Sequence, residues 1–159
     1  MRTTKERGIA HILFHRSGGL WSWLSCALTG GRFSGVSVEV SSCVFFFQPG
    51  GNAFVPLSHA HKLVRSAVFL RLPEMPTDDL TYWMLQQNGL AQMRPLRSVA
   101  WWLCGRFFGM ERPPDCTSVA LVALRRYGVD VPAWVLTPDD LHKWLEGKYG
   151  ISGLEQNAR

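Results

Sequence analysis

The stretch Arg32 to Val40, RFSGVSVEV, limits the fold more than any other part of the chain. Its alternation puts Val36, Val38 and Val40 on one face of a strand and Gly35, Ser37 and Glu39 on the other. A second run, Cys43 to Gln48, is apolar on both faces, and Pro49-Gly50-Gly51-Asn52 separates it from Ala53 to Leu57, so the two form a hairpin. Pro56 sets the last of these strands at an edge or near its own end. Chemistry belongs on the face of Ser37 and Glu39. A glycine at its head is therefore either a turn remnant or a position that lacks a functional group.

Other elements follow from periodicity and punctuation. Ile9 to Phe14 reads as a first strand closed by Ser17-Gly18-Gly19. Leu20, Trp23, Leu24, Ala27 and Leu28 then keep the spacing of one buried helix stripe, stopped by Gly30-Gly31. Ala67 to Leu72 is a further strand. Helices are predicted from Thr77 to Gly89, over Ser98 to Phe108, and from Cys116 with Asp115 as N-cap, where Cys116, Val119, Ala120, Ala123, Leu124 and Tyr127 form the stripe and Gly128 the stop. A last helix opens at Thr137-Pro138-Asp139-Asp140 and buries Leu141, Trp144 and Leu145. The order is an α+β one, a small antiparallel β-sheet with packed helices. Its 159 residues, 47% hydrophobic, suit a single domain over 1–150, with 151–159 as a fraying tail.

Charge and cysteine usage narrow the function classes. Seventeen basic residues against twelve acidic give +5, but they are scattered, and no run of them makes a nucleic-acid tract. Cys26, Cys43, Cys104 and Cys116 show no CxxC pair and no Cys/His spacing suited to zinc, so no metal or cofactor is expected. Cys26, Cys43 and Cys104 read as small buried hydrophobes. The N-terminus is not a secretory signal, and Leu20 to Leu28 and Val99 to Met110 fall short of the ~20 residues of a membrane span. These features suggest a cytosolic origin with reduced thiols. A membrane-surface protein using Leu20 to Leu28 or the Trp101-Trp102 segment is a third class, and it predicts salt-sensitive binding to anionic vesicles.

Cys116 alone has a physical reason to be reactive. It sits at a helix start, where unpaired N–H groups and the dipole favour a thiolate, although Asp115 opposes them. Together with Phe14-His15-Arg16-Ser17-Gly18-Gly19-Leu20-Trp21-Ser22-Trp23-Leu24, Thr29-Gly30-Gly31-Arg32-Phe33-Ser34, Gly50-Gly51, Asp115-Cys116-Thr117-Ser118 and Thr137-Pro138-Asp139-Asp140-Leu141, it resembles the circularly permuted papain-like superfamily. The likeness is to small phage and bacterial members, the NlpC-type hydrolases and their lecithin retinol acyltransferase-like cousins, over about Ala10 to Leu145.

The resemblance implies a cysteine nucleophile at Cys116 and a histidine base on the Phe33-Ser34-X-Val36 strand, where this chain has Gly35. Loss of one member of such a pair costs orders of magnitude in rate. The expectation is a catalytically degenerate domain reused as a structural or binding component, in a phage virion or the host cytoplasm, with other virion proteins as partners. The alternative is an active cysteine hydrolase or acyltransferase on peptidoglycan peptide bonds or a lipid ester, with a relocated base. Of His11, His15, His59 and His61, His15 at the end of the first strand is the best placed to serve. The Ser58-His59-Ala60-His61 histidines read as solvated loop residues, and His142 as a helix-surface residue.

Overall fold

The hairpin forms where the alternation and the turn call for it. Strand β2 (Gly35–Val40) pairs antiparallel with β3 (Cys43–Phe46), and β3 with β4 (Ala53–Pro56), Cys43 lying opposite Pro56. On the other side of β2 lies β1 (Ala10–Arg16), followed by β5 (Ser66–Leu72) and β6 (Leu154–Asn157). The strand order is β4-β3-β2-β1-β5-β6, antiparallel throughout, and β4 with its proline is an edge strand. The computed structural model describes residues 10–40, 43–47, 53–63, 66–72, 95–126, 128–149 and 154–157. The predicted helix from Thr77 to Gly89 and the Pro49 to Asn52 turn lie outside them.

Helices α1 (Leu20–Thr29), α2 (Leu57–Leu63), α3 (Pro95–Ala100), α4 (Cys116–Arg126) and α5 (Pro138–Tyr149) complete the described chain, and α3 runs on into a π-helical turn, Trp101–Gly105. Antiparallel strands with packed helices make this an α+β fold. The stops act as read: the residues following α1 and closing the α4 turn, Gly30 and Gly128, take φ +65° and +76°.

The N-terminal caps of α4 and α5 are both present. Asp115 Oδ1 accepts the Ser118 N–H at 2.7 Å while Ser118 Oγ accepts the Asp115 N–H at 2.9 Å. Thr137 Oγ1 and Asp140 Oδ2 exchange the same pair of bonds at 3.0 Å each. These bonds answer the donors that a helix start leaves unpaired.

The strand alternation sorts the core into two layers. Ile12, Phe14, Val36, Val38 and Phe45 face the α4 and α5 residues Ala120, Leu124, Leu141 and Leu145 in the larger cluster. Leu13, Val44, Phe46 and Ala60 form a smaller one on the opposite face.

Four expectations are corrected. The α1 stripe is not buried: Leu20 and Trp23 are 70% and 59% exposed, Ala27 is exposed, and the buried residue is Ser22. Apolar residues occupy most of the circumference of α1, so spacing alone does not select a face. Cys104 is exposed rather than buried, and Cys26 and Cys43 are only partly covered. His142 is no surface residue, because its ring packs 5.0 Å from Phe14 and 5.1 Å from Phe33. Finally, the region read as a fraying tail supplies β6, with Leu154 to Glu155-Gln156-Asn157 paired along Phe69 to Ser66. His59, read as a loop residue, is exposed as expected but belongs to α2.

Candidate functional site

Cys116, Gly35 and His15 come from three elements. Cys116 is the first residue of α4, which packs across β2; Gly35 is the first residue of β2; and His15, one residue before the end of β1, is its cross-strand partner. All three line one cavity of about 160 Å³, walled further by α1, by Phe46 and Phe47, by the α3 segment around Trp102, and by Leu136 and Pro138 at the start of α5.

Gly35 acts through its missing side chain. A Cβ at this position would come within 2.6 Å of His15 Cε1, and the nearest atoms it would meet all belong to that ring. Residue 35 and His15 therefore compete for one space, and the glycine yields it to the imidazole. On the sheet face they share, His15 lies 5.3 Å from the Phe46 ring and its Nε2 shares a 3.0 Å hydrogen bond with Ser37 Oγ. Ser37 and Glu39, the two polar residues expected beside a base, are both buried there.

Cys116 approaches from the other face. It packs against the larger core cluster, and the Val36 backbone N–H serves its sulfur. The two groups thus border the same cavity from opposite faces of the sheet, and among the described residues no hydrogen bond joins them.

Electrostatics keep both groups neutral. Burial holds the His15 imidazole down, from 6.5 to about 4. Burial pushes the Cys116 thiol up from 9.0 to about 11, and the Asp115 charge adds to this, while hydrogen bonds from Val36 and Thr117 oppose it. The dipole expected to lower the thiol is therefore outweighed by desolvation. Asp115 is itself committed, since Arg112 Nη2 donates to its Oδ2 at 2.7 Å and also reaches the Leu136 carbonyl at 2.6 Å.

Two features escaped the sequence reading. Asp139, read there as a first-turn acid, accepts the backbone N–H groups of Arg32 and Phe33 at 2.9 and 3.1 Å, which clamps the loop before β2 onto α5. Ser22, masked by the tryptophans around it, is buried against the cavity. Of the other histidines, His59 is exposed and its Nδ1 lies 3.4 Å from Ser58 Oγ; His11 stands opposite Glu39 and Arg71 in the backbone register of the sheet. Among the described residues no three His, Cys, Asp or Glu side chains converge as a metal site. No helix among them is long and apolar enough to cross a membrane. Compared with protein-family models, with curated proteins and with solved structures, the chain matches none.

Proposed function

We propose that the chain is a catalytically degenerate domain of permuted papain-like type that serves as a structural or binding component, in a phage virion as a tail, neck or capsid-associated protein. One observation carries the loss of catalysis: the imidazole beside the cavity bonds Ser37 and not the Cys116 sulfur, whose thiol stays protonated. A cysteine nucleophile needs a base within hydrogen-bond reach or a lowered pKa, and Cys116 has neither. The phage setting is supported by the motif resemblance, and mass spectrometry of purified virions tests it.

The second reading is an active cysteine hydrolase or acyltransferase on peptidoglycan peptide bonds or a lipid ester, with Cys116 as nucleophile and His15 as base. What favours it is that both residues wall one cavity and that His15 is neutral, the state a base must have.

Alkylation by iodoacetamide from pH 5 to 9, followed peptide by peptide with Cys116→Ser as control, separates the two. The expected result is that Cys116 reacts more slowly than the exposed Cys104 at every pH and shows no inflection below the ordinary thiol value of about 8.5. An inflection well below that value overturns the degenerate reading in favour of the hydrolase.

A further inference from the structure

The chain from α3 through the turn after it presents large apolar side chains to solvent on a framework that holds them there. Phe107 and Phe108 are 71% and 80% exposed, and Leu96, Leu103 and Met110 are exposed with them. The turn that carries them is closed on itself. The N–H groups of Arg106, Phe107, Phe108 and Met110 donate to the carbonyls of Trp101, Cys104 and Gly105 at distances between 2.9 and 3.2 Å. Trp101, the one buried ring of the segment, pins it through Nε1, which donates to the Met110 carbonyl at 2.9 Å. A Cβ at Gly105 would come within 2.8 Å of that ring, so the turn lies directly on it. Trp101 is therefore a support, and the contact residues are those that follow it. Apolar side chains grouped on a rigid turn mark a contact surface, unlike single ones scattered over a protein.

Charge says what kind of surface they meet. The Arg106 guanidinium lies within the set, 4.7 Å from the Phe107 ring centroid and 5.7 Å from that of Trp102, and Arg97 is exposed on α3. From Pro95 to Met110 the sequence contains no acid, and among the described residues neither arginine is in an ion pair. The first acid, Glu111, follows the turn, and the next base, Arg112, is paired with Asp115. We propose that the segment from Leu96 to Met110 docks on an anionic lipid surface. Phe107 and Phe108 enter the boundary of the acyl chains, and Arg97 and Arg106 stay at the headgroups.

The local structure suits that occupant. Rings that enter hydrocarbon need a backbone without free donors, and the four N–H groups bonded within the turn meet that demand. An arginine at a lipid boundary keeps its stem along apolar surface and its head among phosphates, a posture that Arg106 over its two rings can take. A second copy of this chain fits worse. A two-fold contact through the turn would set Arg106 against Arg106, with no carboxylate in the segment to separate them.

The surface uses neither Cys116 nor His15, so thiol alkylation and virion mass spectrometry are read separately from it. The test is co-sedimentation of the full chain with vesicles of phosphatidylcholine, alone and with about 30% phosphatidylglycerol, at low and high salt. Binding to the mixed vesicles is expected to be at least about tenfold tighter than to phosphatidylcholine at low salt, and to weaken as salt rises. Phe107→Ser with Phe108→Ser leaves every charge in place and should lower the mixed-vesicle affinity by at least about tenfold. Arg97→Gln with Arg106→Gln should lower it by about tenfold. Arg125→Gln with Arg126→Gln removes equal charge from exposed residues at the end of α4 and should lower it by less than about threefold. All six side chains are exposed, and unchanged far-UV circular dichroism checks that the variants fold. No vesicle binding, binding indifferent to the two phenylalanines, or equal loss from both arginine pairs would each overturn the proposal. Apparent mass that rises with concentration only while the phenylalanines are present, without vesicle binding, would also overturn it and assign the turn to a second copy.

Discussion

Gly35 raises the question of whether a small residue marks a lost group or a needed space. The structure gives it a steric role: its face is filled by the His15 ring, which any Cβ would strike. Gly35→Ala is therefore expected to destabilise the fold by about 1–3 kcal/mol, as overpacking does. In a His15→Ala background the same change should cost almost nothing, and urea midpoints of the four proteins measure that coupling. His15 carries a second consequence, in pH. Its folded value near 4 lies below the unfolded 6.5, so above pH 6.5 both states are neutral and the group contributes no pH dependence. As pH falls from 6.5 to 4 only the unfolded chain takes up the proton, and stability drops by on the order of 3 kcal/mol, levelling off below pH 4. The difference between wild type and His15→Gln across that range isolates this loss from the titration of the carboxylates. No difference between them would mean that the imidazole is not buried as the structure has it.

Between elements, the junction that positions the site is the start of α5. Asp139 binds two backbone donors on the approach to β2, more than a hundred residues earlier in the chain, and a Cβ at Gly31 would collide with its carboxylate. Asp139→Ala would leave both N–H groups without their charged acceptor and is expected to cost about 2–3 kcal/mol. Faster amide exchange at Arg32 and Phe33 would locate the damage, and unchanged exchange there would show that the clamp is not what holds the loop. The local half of this junction was legible in the sequence. Thr137-Pro138-Asp139-Asp140 announces a capped helix, and Asp115 before the Cys116 stripe announces another, because a cap is set by residues within the first turn. What Asp139 reaches across the fold was not legible, since no local pattern encodes a partner in another element. Periodicity failed for a different reason in α1, where Ser22, Ser25 and Thr29 share one polar stripe and it is that stripe which turns to the cavity, while the apolar Leu20 and Trp23 face out. The tryptophans around it hid Ser22, the one residue of that helix that is fully buried.

At the scale of the molecule, the antiparallel strands followed from alternation and turn residues, while the meeting of β1, β2 and α4 at one cavity was an expectation of the family resemblance alone. The far edge of the sheet followed from neither. Leu154-Glu155-Gln156-Asn157 shows no alternation of apolar residues, and it joins the sheet through the backbone of β5, which Ser66 to Phe69 present to it. Edge strands are exposed to other chains, and the two edges here carry different safeguards, a proline in β4 and a charged residue in β6. Removing 151–159 would make β5 the edge. Four consecutive residues of it, Ala67-Val68-Phe69-Leu70, are apolar and free of proline, and its one charge, Arg71, lies beyond them, so this stretch has the composition that pairs with other chains. A chain of residues 1–150 is thus expected to self-associate, with an apparent mass by light scattering that rises with concentration while the full chain stays constant. Amide exchange between Ser66 and Phe69 should quicken in the shortened chain at dilutions where it is monomeric. Constant mass together with unchanged exchange would show that β6 contributes nothing to the sheet, and would return residues 151–159 to the role of a tail.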